Sequence, residues 1–213
     1  MKIFKFGGAS INSIERINNL IKILSECNDE KIMVVISAMG KTTNALEKVT
    51  DKFFKGEKEH ALQLFEGIKQ AHINLANELL SEPVNGLKDF FTEVEWLLHD
   101  KPLRNYDYYY DQIVCAGEML SSSIVSSFLN ENKIKNIWVD VRDTIRTDDN
   151  FRDANVDINF TQNKINDAIK PLFNNSNVVI TQGFIGSTDE NESTTLGREG
   201  SDYTAALFAN MIN

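Results

Sequence analysis

Polar and apolar positions alternate loosely over residues 2–6 and stop at Gly7-Gly8, which predicts a buried strand feeding a loop. Ile11, Ile14, Ile17, Ile21 and Leu24 then recur at helical spacing, with Asn12 or Ser13 placed to cap the helix they predict. Residues 31–37 form a continuous apolar run of strand length, the pattern of a parallel sheet covered on both faces. Strand, helix and strand in that order predict a right-handed βαβ unit.

From Asn44 to about His99 the pattern is helical throughout, with breaks near Lys55-Gly56 and across residues 81–86. Leu62, Phe65, Ile68, Ile73 and Leu79 make apolar stripes, which read as a helical cover. Phe90, Phe91, Val94, Trp96, Leu97 and Leu98 read as core or as a partner-facing surface rather than a cofactor box. Tyrosines 106, 108, 109 and 110 could cover a site or line an interface. The segment from Asp111 to Asn130 predicts one buried helix, with Ile113, Leu120, Ile124 and Phe128 on one side and Val114, Val125 and Leu129 on another. Residues 134–139 and 177–182 are two more buried-strand runs, separated by a charged loop and a helix from about Thr161 to Phe173. Residues 183–197 read as a hairpin with a polar tip that brings Arg198 back to the sheet edge. A last helix opens at Ser201 or Asp202 and runs to Asn213 without a terminator such as a C-cap glycine.

A chain of 213 residues has room for one large α/β domain with a substantial core. Its formal net charge of −9 argues against nucleic acid or an anionic membrane as the main partner. Cys27 and Cys115 are the only cysteines and form no Cys-x-x-Cys pair, so a reducing cytoplasm fits best. The three histidines lack ligand spacing, and no structural metal site is expected. No basic-then-apolar leader opens the sequence, and no apolar run approaches the ~18 residues that would cross a bilayer.

Two stretches carry candidate chemistry. A flexible glycine loop bearing Arg198 runs into the helix opened by Ser201 and Asp202, so unpaired backbone N–H groups and a guanidinium can converge on a carboxylate or phosphate. At the other end Lys5 closes the first strand, and Gly7 and Gly8 let backbone approach a bulky charged ligand. The loop after the second strand holds Gly40-Lys41-Thr42, but Val35 stands where a P-loop needs its first glycine. Ser37 and Thr43 remain ligand candidates at a strand's carboxyl end, with helix capping by Thr42 or Thr43 as the plain alternative. Glu118 is the one charged residue between Asp111 and Glu131, so its carboxylate must be neutral, paired internally or facing a ligand ammonium. A zwitterion would satisfy Arg198 through its carboxylate and Glu118 through its ammonium, and an amino acid does both. Lys5 and the glycine amides are then left for a polyphosphate. A side-chain carboxylate acceptor is already ionised near neutral pH, so no general base is required.

Lys5-Phe-Gly-Gly-Ala-Ser10, Val35-Ile-Ser-Ala-Met-Gly-Lys-Thr-Thr-Asn44, Gly117-Glu118 and Leu196-Gly-Arg-Glu-Gly-Ser-Asp-Tyr-Thr-Ala205 resemble, in order and spacing, the aspartate kinase members of the amino acid kinase family. That resemblance implies a three-layer αβα sandwich with a mainly parallel, incomplete sheet, and ATP-dependent phosphorylation of the L-aspartate side chain to 4-phospho-L-aspartate with Mg2+ on the phosphates. It implies Lys5 and Asp202 as catalytic residues, with Asp202 orienting Lys5. Gly7, Gly8 and Ser37 would join Lys5 around the phosphates, and Thr43, Glu118, Arg198 and Ser201 would hold aspartate. Two positions depart from the family: Ala9 stands where threonine is usual, and Glu199 where a small residue is usual. Residues 1–213 correspond to roughly the front half of an aspartokinase, its amino-acid-binding portion, so the chain alone is expected to bind ATP poorly and turn over little. A homodimer or larger assembly is implied for the full-length protein. Other amino acid kinases, or a non-catalytic amino-acid-binding or dimerising fragment, are the competing readings.

Overall fold

Apolar side chains alternating across a central sheet create two separate cores, one on each face. The structure, a computed structural model, describes residues 1–27, 29–84 and 86–212. Asn85, inside the break expected over 81–86, and Asn213, to which the last helix was expected to run, lie outside the described residues. Strands β1 (Lys2–Phe6), β2 (Ile32–Ile36), β3 (Asn136–Trp138) and β4 (Val178–Gln182) form a parallel sheet in the order β1-β2-β4-β3. Within β2, Ile32, Val34 and Ile36 enter one core while Met33 and Val35 enter the other. β4 divides likewise, with Val178 and Ile180 on the first side and Val179 on the second, as a period of two requires. A strand buried on both faces has no polar side to show, which explains the unbroken run seen in the sequence.

The first face is covered by α1 (Ile14–Ser25), α2 (Thr42–Phe54), α3 (Lys58–Leu79), α4 (Leu87–His99), α5 (Tyr106–Val114) and α6 (Ala116–Glu131). Ser13 is the cap of α1, its hydroxyl accepting the Arg16 N–H. The second face packs against α7 (Ile158–Lys164), which continues through a π turn at Ile165–Ile169 into a 3-10 turn at Lys170–Asn174, and against α8 (Gly200–Met211). The α7 helix starts three residues earlier than its apolar pattern predicts, because the Asp157 carboxylate caps it by accepting the Phe160 N–H. The hairpin is β5 (Ile185–Ser187) paired antiparallel with β6 (Ser193–Thr195).

The helix predicted across Asp111 to Asn130 is two helices, α5 and α6, meeting at Cys115. Together Tyr106–Glu131 is long and apolar enough to cross a membrane by length and composition, contrary to the reading from apolar runs alone, yet the chain buries it in its own core. Tyrosines of α5 pack on α2: the Tyr106 hydroxyl donates to Asp51 Oδ1 at 2.7 Å, and the Tyr109 ring lies 5.1 Å from that of Phe53. Trp96 is exposed while Phe91, Val94 and Leu98 are buried, so the aromatic stretch on α4 is mainly core.

Candidate active site

The carboxyl ends of β1, β2 and β4 bring three loops together. After Phe6 the chain passes Gly7 and turns through a 3-10 segment at Gly8–Ile11. There the Gly8 carbonyl accepts the Gly40 N–H at 3.0 Å, and a Cβ on Gly8 would sit 2.5 Å from the Ala38 carbonyl oxygen. Only glycine permits that backbone approach. The 37–40 loop is in turn fastened to α6, because Ala38 N–H donates to Glu118 Oε1 at 3.0 Å and Met39 N–H to Ser121 Oγ at 2.8 Å. Thr42 and Thr43 do not cap α2, whose N-cap is Lys41 without a side-chain hydrogen bond; Thr43 lines a cavity instead.

At the end of β4, Gly183 leaves just enough room for Ser201, since a Cβ there would fall 2.6 Å from Ser201 Cβ. Phe184, with φ +73, donates its N–H to Thr204 Oγ1 and pins α8 against the sheet. Gly197 (φ +71) and Glu199 (φ +56) both occupy the left-handed region in the loop that opens α8. The first turn of α8 has fewer spare donors than expected: Gly200 N–H bonds the Gly197 carbonyl, and those of Asp202 and Tyr203 bond the Glu199 carbonyl.

These pieces enclose a cavity of about 290 Å³. Lys5, Gly8, Ser37, Thr43, Glu118, Ser201 and Asp202 all line it, so seven of the nine residues singled out in the sequence meet at one place. Gly7 stands behind the wall, where a Cβ would touch Lys5 Nζ at 3.4 Å. Arg198 is exposed between two lining residues, Gly197 and Glu199, and holds no ion pair among the described residues. Lys5 Nζ lies 3.1 Å from Asp202 Oδ1 and 3.2 Å from Oδ2. Phe184, Gly197 and Glu199 also line the cavity without having been picked out as ligand-facing; all three have positive φ, which the glycine announces at 197 but nothing in composition or periodicity announces at Phe184 and Glu199.

Glu118 is the unusual group. It is buried, Oε1 receives the Ala38 N–H, and Oε2 has no hydrogen-bond partner. No ion pair reaches it among the described residues, so the internal-pair alternative is not realised. Burial pushes its carboxyl up to about 8, an effect that the Ala38 N–H partly opposes. A neutral acid results near pH 7, and a cation entering the cavity would ionise it.

Residues 1–213 match the amino acid kinase family. Lysine-sensitive aspartokinase 3 of Escherichia coli (strain K12) is 33% identical over 214 residues, taking in 99% of this chain and 46% of that protein. Chloroplastic aspartokinase 1 of Arabidopsis thaliana is 32% identical over 230 residues, 99% of this chain and 38% of that one. Among solved structures, E. coli aspartokinase III in complex with aspartate and ADP (R-state) superposes with a TM-score of 0.88 at 30% identity, covering 100% of this chain and 47% of that one. The chain spans about half the length, or less, of the curated relatives it matches.

Proposed function

The chain belongs to the amino acid kinase family, and from that premise we propose that it is the amino-acid-binding portion of an aspartate kinase. In the reaction a side-chain carboxylate oxygen of L-aspartate bonds to the terminal phosphorus of ATP, the bond from that phosphorus to ADP breaks, and 4-phospho-L-aspartate forms. The observation that carries this reading is Glu118 Oε2, a buried carboxylate oxygen without a partner in the same cavity as the Lys5 ammonium. A buried acid of that kind is satisfied by a ligand ammonium, and burying it for nothing costs several kcal/mol.

In this reading Glu118, Thr43 and Ser201 hold aspartate, and Arg198 meets its α-carboxylate from the loop beside the cavity. The residues present fit a polyphosphate, since Lys5 supplies a positive charge and Gly8 contributes backbone unscreened by any side chain. Ser37 completes that group in the cavity wall, Gly7 supports it from outside the lining by leaving room for Lys5 Nζ, and Asp202 orients the Lys5 ammonium through its ion pair. ATP with Mg2+ supplies the phosphoryl group and part of the charge neutralisation. In this reading Mg2+ would be carried on the phosphates of ATP, and no side chain of this chain is assigned to it. The acceptor carboxylate is ionised near neutral pH, which removes any need for a general base. A reducing, cytoplasmic setting suits two free cysteines.

Titration calorimetry with L-aspartate and with N-acetyl-L-aspartate tests the reading, alongside a coupled assay of ADP release. Heat from aspartate and none from the blocked form is the expected result, because an acetylated nitrogen offers Glu118 no cation. Equal binding of both would overturn it. Aspartate binding without ADP release under saturating Mg-ATP would mark a binding role for this chain in place of catalysis.

A further inference from the structure

Asp111 is fully buried on α5 and takes no part in the cavity wall. Its Oδ2 accepts the N–H of Thr195 at 2.8 Å and that of Arg152 at 2.9 Å, while Oδ1 accepts the Thr195 hydroxyl at 2.7 Å. The next residue repeats the pattern, with Gln112 Oε1 accepting the Ser193 N–H and Gln112 Nε2 donating to the Ser193 carbonyl. Two helix side chains therefore grip β6 along its length, much as a neighbouring strand would. Thr195 lies three residues before Arg198, and its carbonyl receives the Ala154 N–H at 3.0 Å. The 150–154 turn also presses on Gly197, where a Cβ would fall 2.5 Å from Asp153 Oδ1. In the other direction Asp111 sits seven residues before Glu118, across the Cys115 joint.

We infer that Asp111 is a positioning residue for the amino-acid pocket: by receiving these three donors it ties the helix leading to Glu118 to the loop carrying Arg198. It thereby sets the spacing at which a ligand's ammonium and α-carboxylate are read. The ligand half of this inference rests on the function proposed above; the anchoring half rests on the hydrogen bonds alone. An amide can replace the carboxylate here, because its oxygen can take both backbone N–H groups while its NH2 donates to the Thr195 hydroxyl, which also accepts. A leucine cannot, and it leaves two buried N–H groups without acceptors.

Hydrogen–deuterium exchange of the 213-residue chain, read by mass spectrometry, compares wild type with Asp111→Leu, Asp111→Asn and the milder Thr195→Val. For Asp111→Leu, exchange over residues 150–154 and 193–200 is expected to quicken roughly tenfold, with β2 and α3 unchanged. Calorimetric affinity for L-aspartate is expected to fall by about the same factor, and Asp111→Asn to restore both. Thr195→Val loses one of the three bonds and is expected to quicken the same segments by roughly threefold, which keeps the test open if the leucine variant does not fold. Unchanged exchange in those segments, acceleration across the whole chain, or an asparagine variant as damaged as the leucine one would overturn the inference. Wild-type protein that takes up no aspartate would overturn the amino-acid reading, and the exchange pattern would still decide the anchoring.

Discussion

Lys5 and Asp202 stand 197 positions apart in the chain and 3.1 Å apart in space. The parallel sheet makes this meeting, because β1 delivers Lys5 to the end where α8 begins and Gly183 lets α8 approach the end of β4. Both side chains keep solvent exposure, 25% for Lys5 and 62% for Asp202, so water screens the pair and its worth to the fold is below about 1 kcal/mol. Asp202→Asn should leave the thermal midpoint within about 4 °C of wild type, the shift that 1 kcal/mol gives at this size. A loss of 10 °C or more by scanning calorimetry would show that the pair holds the fold rather than a ligand.

Glu118 makes binding and stability depend on pH in opposite directions. Its carboxyl rises from an ordinary 4.5 to about 8 on folding, so between those values the native state carries a proton that the unfolded chain has lost. Stability therefore falls as pH climbs through that window. Glu118→Gln keeps the acceptor for the Ala38 N–H and removes the ionisable group, so it should stabilise the ligand-free chain at pH 8 by about 2 kcal/mol or more. For wild type, aspartate affinity should rise from about pH 6 to about pH 8, with proton release on binding visible in buffers of different ionisation enthalpy. A flat affinity profile for wild type would remove the ammonium role of Glu118.

Glu118 is legible in the sequence because a single carboxylate stands out on a helix otherwise apolar or small all round. Lys5, Ser37 and Ser201 are legible too, since strand ends and a helix start can be read from periodicity and punctuation. Asp111 is not, because it sits at the margin of the same apolar stretch, and its partners, the N–H groups of Arg152 and Thr195 and the Thr195 hydroxyl, lie far along the chain where no side-chain pattern announces them. The Cys115 joint escapes as well, because no proline marks it and the apolar pattern runs through it unbroken. Glu199 reads as a charge beside the site, but its left-handed backbone becomes visible only in three dimensions.

Gly183 is required by contact with Ser201 rather than by its own backbone angles. A Cβ at 183 would lie 2.6 Å from Ser201 Cβ and 2.8 Å from Ser201 Cα, and backbone cannot swing away as a side-chain tip can. Gly183→Ala should cost about 1–3 kcal/mol and push the start of α8 off the sheet. Gly67, inside α3 with open space around its missing Cβ, is the control: Gly67→Ala should stabilise by up to about 1 kcal/mol. Urea melts of both variants check the pair, and equal effects of the same sign would refute the contact argument.

Glu199 pays two penalties at one position. Its φ of +56 strains any residue with a Cβ, and it adds a negative charge to the lining of the cavity proposed for a dicarboxylic acid. Glu199→Gly should raise stability by about 1 kcal/mol and tighten aspartate binding, both readable from melts and calorimetry on the same preparation. Weaker binding in the glycine variant would instead make Glu199 a ligand contact.

His72 should make the fold lose stability in acid. The ring is buried in α3, Nδ1 lies 2.8 Å from the Ile68 carbonyl and is therefore the protonated nitrogen, and Nε2 has no partner. Burial holds its pKa below the ordinary 6.5, with the Ile68 carbonyl opposing weakly. Below pH 6.5 the unfolded chain binds a proton that the native ring refuses, so stability is lost as pH falls, the reverse of the Glu118 effect. His72→Leu fills similar space without a titrating group, and the helix backbone keeps its own bond to the Ile68 carbonyl. Chemical denaturation at about pH 5 and about pH 7 should therefore show a smaller acid-induced drop for the leucine variant than for wild type. An identical drop in both would assign the acid sensitivity to carboxylates elsewhere.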